Sequence, residues 1–154
     1  AEEIKDKGLE FQKGQLREMK TLCGAVNDIC ALTVDSFCRN DVEKATHIEP
    51  LEEVIDTLCK TIKENHINRL KKGKSTIEMG FILDDVLTSL ERVSDHCSNI
   101  AVEMITILDD DYNTHEYFES LSSEDRRNFN KEYEELMKYY PIREKEIGQS
   151  KDAQ

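Results

Sequence analysis

Two acidic pairs in this sequence have a spacing that could bind a metal ion. Glu91 and Asp95 lie four residues apart in LERVSDHCSNIA, and Glu52 and Asp56 have the same spacing in PLEEVIDTLCK. On a helix, residues i and i+4 lie on one face a turn apart, so each pair would place two carboxylates side by side. Raised pKa values, basic neighbours or bound cations could each offset the resulting repulsion.

A helical hairpin would bring the two pairs together. The helix that carries Glu52 and Asp56 ends in RLKKG, with Gly73 after its last turn. If the hairpin turns at residues 73–74, antiparallel neighbours have residue numbers that add to about 147. Glu52 is then level with Asp95, and Asp56 with Glu91. Four carboxylates at one height form an oxygen-only ligand set, which suits cations from magnesium and manganese to iron.

Other roles for the same acids stay open from the sequence. Arg92 and nearby lysines could form ion pairs with them. Glu52 could instead complement the helix dipole if a helix restarts at Pro50. His96 or Asn99 could add a further ligand to the site.

The sequence has none of the common catalytic motifs. A ferritin-like di-iron site needs Glu-x-x-His on two helices, and no acidic residue here has a histidine three positions later. There is no Gly-x-Ser-x-Gly motif and no glycine-rich phosphate loop. We therefore predict that the protein is not an enzyme.

Composition indicates one acidic, helical domain. Of 154 residues, 35% are charged and only six are Gly and two Pro, which argues against an all-β fold. The net charge of −12 argues against a nucleic-acid partner and favours cations or a basic protein surface. Five cysteines without a CxxC pair indicate a reducing compartment. No segment approaches the roughly 18 apolar residues of a membrane span, so we expect none in this fragment.

Apolar periodicity predicts three long helices and a shorter fourth. The first covers about 9–38, and the second about 41–72 with a kink or restart at Pro50. The third opens with a capping box of Ser75 and Glu78 and continues to about 108. Similar lengths and short connections predict an all-α, up-down-up antiparallel three-helix bundle. The predicted domains are this bundle at 9–108, a connecting turn and extra helix at 109–140, and a flexible tail at 141–154.

The segment HIEPLEEVIDTLCKTIKENHINRLKKGKSTIEMGFILDDVLTSLERVSDHCSNIA resembles the PhoU family, in particular the PhoU-like domain at the C-terminus of bacterial sodium/phosphate cotransporters. LERVSDHCSNIA is the most specific part of a resemblance that covers about residues 10 to 118. It implies a cytoplasmic bundle, tethered to the inner membrane as part of a transporter. The E/DxxxD motifs of the family bind clusters of iron, zinc or other ions, and they match Glu52/Asp56 and Glu91/Asp95 here.

The resemblance also implies a regulatory role in phosphate transport and homeostasis. The expected partner is a membrane transporter domain or a phosphate-signalling protein. Full-length PhoU proteins have two three-helix repeats and this chain has room for one, so a homodimer would supply the second. The first helix has no clean ExxxD motif, which limits the size of the cluster. The alternative is a stand-alone PhoU-like helical adaptor without bound metal.

Overall fold

The computed structural model describes residues 11–108 and 123–142, and every regular element in them is a helix. The helices are α1 (Lys13–Arg39), the single-turn α2 (Val42–Ala45), α3 (Ile48–Lys71), α4 (Ile77–Leu108) and α5 (Ser123–Tyr139). The long helices α1, α3 and α4 pack against one another, and α5 packs on α3. The predicted all-α bundle with an extra C-terminal helix is confirmed. The predicted turn at 109–122 and most of the predicted tail, 143–154, lie outside the described residues.

One apolar core runs along the line where α1, α3 and α4 meet. Each helix contributes a stripe of side chains spaced three or four residues apart, as helical periodicity requires. The largest fully buried members are Leu22, Ile29, Ile48, Ile55, Leu58, Ile62, Leu83 and Leu87. Tyr133 and Leu136 of α5 and Ile142 beyond it are partly buried against this core. The packed part of the chain therefore extends to the second residue of the predicted tail, Ile142.

The second predicted helix is divided in two, as the prediction of a restart requires. The chain leaves the helix at Thr46 and His47 and re-enters it at Ile48. Pro50 is then the third residue of α3. A backbone N–H in the first turn has no partner within the helix, so proline is tolerated there.

The predicted capping box at Ser75 is wrong by one residue. The hydroxyl of Thr76, the next residue, accepts the hydrogen bond from the Met79 N–H at 3.2 Å. The Ser75 Oγ lies instead 3.4 Å from Nδ1 of His66, whose side chain is buried. Two adjacent hydroxyl residues offer the same capping chemistry, and the contact with His66 selects between them.

The turn between α3 and α4 is fixed by a left-handed glycine. Gly73 has φ 65°, a conformation that residues with a Cβ rarely adopt. The Lys74 N–H donates to the Arg69 carbonyl at 2.8 Å and the Gly73 N–H to the Leu70 carbonyl at 3.0 Å. These two bonds form a Schellman motif, which ends α3 at a defined residue.

Two side-chain contacts verify the register of the hairpin. The Ser98 hydroxyl donates to the Glu49 carboxylate, and Lys63 Nζ lies 3.5 Å from Asp84 Oδ1. In both pairs the residue numbers add to 147, the value expected from the sequence. The predicted antiparallel register of α3 and α4 is therefore confirmed.

A buried ion pair joins α1 to α3 near the hairpin. The Arg69 guanidinium donates from both terminal nitrogens to the Glu18 carboxylate, in one case over 2.8 Å. Asn65 Nδ2 donates to the same carboxylate at 2.8 Å. Because all three side chains are buried, the carboxylate needs these donors in place of water. The pair fixes the position of α1 relative to the end of α3.

Candidate metal centre

Three of the four predicted metal ligands come together on the surface of the α3–α4 hairpin. One carboxylate oxygen from each of Glu52, Asp56 and Asp95 lies within 4.8 Å of the others. Glu52 is partly buried, whereas Asp56 and Asp95 are exposed. We call these three residues the acidic cluster. It combines an i, i+4 pair on α3 with the level residue on α4, as the register predicted.

Glu91, the fourth predicted ligand, is turned toward a lysine. Its Oε1 lies 3.4 Å from Lys63 Nζ, and it is not part of the three-carboxylate group. Its negative charge nevertheless contributes to raising the pKa of Asp56, after the larger effect of burial. Glu91 is therefore close to the cluster but neutralised by a different partner. The sequence analysis left ion pairs with nearby lysines open, and the structure identifies one such lysine as Lys63, seven residues after Asp56 on α3.

The cluster holds protons more tightly than free carboxyl groups do. Burial, and then the charge of Asp56, raise the pKa of Glu52 to about 8. Burial, and then the charges of Glu91 and Asp95, raise the pKa of Asp56. Near neutral pH the cluster therefore retains at least one proton on Glu52. A bound cation would replace that proton as the source of positive charge.

Glu49 is a residue that the sequence analysis missed. It lies seven residues before Asp56, and its carboxylate accepts the hydrogen bond from Ser98. Burial raises its pKa, although the bond from Ser98 opposes this effect. The residue numbers of Glu49 and Ser98 add to 147, so the register expected from the sequence could have identified this pair. Glu49 extends the negative surface by one turn toward the start of α3.

The alternative ligands and counter-charges lie elsewhere. Arg92 is exposed and forms no ion pair within residues 11–108 and 123–142. His96 and Asn99 line a groove with Phe37 and Ile100. Cys59 is buried near Glu91, and burial raises the pKa of its thiol to about 12, so the sulfur stays protonated. Of the candidates considered, the carboxylates alone are positioned to share one ion.

The ligand atoms present fit a hard cation. Oxygens bound to one Mg²⁺ or Mn²⁺ at about 2.1 Å lie roughly 3 Å apart, so three oxygens within 4.8 Å need to approach by less than 2 Å. Asp56 and Asp95 are exposed and have room to move. Three carboxylates would hold the ion on one side and leave its solvent side open.

Glu52→Gln should stabilise the metal-free protein at alkaline pH. Because the Glu52 pKa is raised from 4.5 to about 8 on folding, the folded state binds its proton more tightly and loses stability as pH rises between these values. With solvent screening of this half-buried group, we expect the variant to exceed the wild type by about 1–2 kcal/mol at pH 8 and to match it at pH 4.5. Urea denaturation with chelator measures this difference.

The matched control is Glu64→Gln, which removes an exposed carboxylate from the same helix. It should leave the change in the free energy of unfolding between pH 4.5 and pH 8 as it is in the wild type. If Glu52→Gln instead lowers the free energy of unfolding equally at both pH values, the pKa of Glu52 does not rise on folding.

No helix in the described parts of the chain combines the length and the apolar character needed to cross a membrane. A family model described as the PhoU domain matches residues 19–104, a segment that contains all four predicted ligands. The "Phosphate-specific transport system accessory protein PhoU homolog 1" of Thermotoga maritima is 26% identical over 104 residues. These residues are 68% of this chain and 44% of that protein, so the chain spans less than half the length of its relative. No solved structure matches the chain.

Proposed function

This chain belongs to the PhoU family, and from that premise we propose that it is the regulatory domain of a sodium/phosphate cotransporter, held at the cytoplasmic face of the inner membrane. The name of the Thermotoga relative, an accessory protein of a phosphate-specific transport system, supports a role in regulating phosphate transport. The cotransporter context rests on the resemblance of LERVSDHCSNIA and its surrounding segment to the PhoU-like domains of such transporters.

Metal binding by the acidic cluster is the second part of the proposal. The observation that carries it is the convergence of Glu52, Asp56 and Asp95 within 4.8 Å. Glu91, level with Asp56, becomes the fourth ligand when its carboxylate leaves Lys63 and binds the ion. Bound iron, zinc or another divalent or trivalent ion would supply the positive charge that holds α3 and α4 together at this surface. The domain would then present a less negative surface to its partner.

Mn²⁺, Zn²⁺ or Fe²⁺ should raise the melting temperature of the purified chain. Saturation at a hundred times the dissociation constant adds about 2.7 kcal/mol of stability, which corresponds to roughly 5 °C or more. Glu52→Gln/Asp95→Asn removes two of the three clustered carboxylates and should abolish the shift. Glu91→Gln should reduce it less. Thermal melts with and without each metal, after removal of metal by chelator, measure the effect.

The matched control is Glu64→Gln/Asp85→Asn, which removes the same charge from exposed positions of α3 and α4 outside the cluster. It should retain the full shift. Equal loss in both double variants, or no shift for any metal, would favour the alternative of a PhoU-like adaptor without metal. The ion pairs of Lys63 with Glu91 and Asp84 are the observation that favours this alternative.

Removal of the domain should change phosphate uptake by the native gene product. Cells that express it should take up radiolabelled phosphate in a sodium-dependent manner, and deletion of residues 11–142 should alter how that uptake responds to external phosphate. Expression with the acidic-cluster variant, Glu52→Gln/Asp95→Asn, tests whether the metal contributes. Uptake that needs no sodium and is unaffected by the deletion would instead indicate a stand-alone protein.

We also propose a homodimer, supported by an exposed apolar row on α4. Val86, Val93, Ile100 and Ile107 are spaced seven residues apart and are 37%, 38%, 41% and 73% exposed. Phe37 of α1, 66% exposed, borders the same surface. A seven-residue apolar repeat is typical of a seam between packed helices, and a second copy would cover it.

Sedimentation velocity should therefore detect a dimer of the wild-type chain. Ile100→Glu places a charge in the centre of the row and should shift the protein to the monomer, since a buried charge without a partner opposes association. The control Thr88→Glu adds the same charge at an exposed position of α4 outside the row and outside the groove of Phe37, and it should leave the dimer intact. A monomeric wild-type chain at concentrations of about 100 μM would contradict the dimer, because it corresponds to an affinity weaker than about −5.5 kcal/mol.

A further inference from the structure

We propose that a basic groove in this acidic protein binds a multivalent phosphate anion. The groove has a volume of about 1050 Å³ and lies between α1, the α3–α4 turn and the end of α5. Six cationic residues line it: Arg17, Lys20, Arg69, Lys72, Lys74 and Lys138. It shares no residue with the acidic cluster and goes beyond the function proposed above.

Five of the six cations in this groove form no ion pair with a carboxylate of the described residues. The sixth, Arg69, is occupied by Glu18. Asp28, the second acid in the groove, accepts a hydrogen bond from the Tyr140 hydroxyl at 2.6 Å. Six cations against the two acids Glu18 and Asp28 leave an excess of four positive charges around one concavity. This excess raises the local concentration of anions, even though the chain has a net charge of −12.

Two glycines of α1 line the groove and place no side chain in it. A Cβ on Gly24 would have no atom within 4 Å, and one on Gly14 would have only the Arg69 guanidinium, at 3.7 Å. Gly24 weakens the interior of α1 by about 1 kcal/mol relative to alanine. The space they leave is open to a ligand rather than filled by another side chain.

The size of the groove favours an anion longer than inorganic phosphate. Sites for small molecules have volumes of about 300–1000 Å³, and the volume of this groove, about 1050 Å³, is slightly above that range. The cations come from separate segments along it, so a chain of phosphates could contact several at once. Tyr139, 71% exposed on the same groove, offers a ring on which a nucleobase could stack. Tripolyphosphate and ATP share this chemistry and differ in the base.

The test is calorimetric titration of the purified chain with tripolyphosphate, ATP and inorganic phosphate. Chelator is present throughout, so that metal at the acidic cluster cannot recruit the anion. Tripolyphosphate and ATP should bind, with affinity that falls steeply as salt increases, and inorganic phosphate should bind at least about tenfold more weakly. Lys20→Gln/Lys72→Gln should weaken binding by about tenfold or more. Gly24→Phe, which fills the groove without changing its charge, should also weaken it.

The matched control is Lys60→Gln/Lys131→Gln, which removes two exposed lysines outside the groove. It should bind as the wild type does, and so should Glu52→Gln/Asp95→Asn, which makes this result independent of the metal proposal. If a nucleotide is the ligand, Tyr139→Ala should weaken the binding of ATP but not that of tripolyphosphate. If the ligand is a polyphosphate, this variant should bind both anions as the wild type does. Equal loss in the lysine control, no binding of either polyanion, or binding only to vesicles of phosphatidylglycerol would overturn the proposal.

Discussion

The register between α3 and α4 is the constraint on which the candidate metal centre depends. The Schellman motif at Gly73 ends α3 at a defined residue, and about six helical turns separate it from the acidic cluster. A slip of one residue would rotate each side chain by about 100° around its helix and move Asp95 away from Glu52. The contact between Glu49 and Ser98 and the contact between Lys63 and Asp84 hold the same register along the hairpin.

Packing prevents the carboxylates from separating in response to their own repulsion. Ile55, Leu58 and Leu87, which are fully buried, lie on the inner faces of the same two helices. Moving the helices apart would expose these side chains, and each contributes about 1.5–3 kcal/mol when buried. The helices therefore stay in place, and burial followed by the repulsion from Asp56 raises the pKa of Glu52, which then holds a proton. The proposed metal ion would take the place of that proton.

The sequence was sufficient to predict what depends on the backbone and insufficient for what depends on long side chains. Helical periodicity and the glycine at the turn determined the bundle and its register, so the convergence of Glu52, Asp56 and Asp95 could be predicted. The partner of Glu91 could not, because Lys63 and Glu91 are flexible side chains that reach several neighbours from the same backbone positions. The cap of α4 was predicted one residue early because Ser75 and Thr76 have equivalent chemistry and a tertiary contact with His66 decides between them.

The basic groove shows why net charge predicts partners poorly in a folded chain. Acids exceed bases by twelve, and this average argued against a nucleic-acid partner, whose phosphates need a basic face. The fold, however, gathers lysines from the start of α1, the α3–α4 turn and the end of α5 into one concavity. The acidic cluster lies instead near the start of α3, at the end of that helix away from the turn. A small anion responds to the charges within about 10 Å, the distance over which salt screens the remainder. The two surfaces can therefore attract ligands of opposite charge on one bundle, and each must be judged from its own residues.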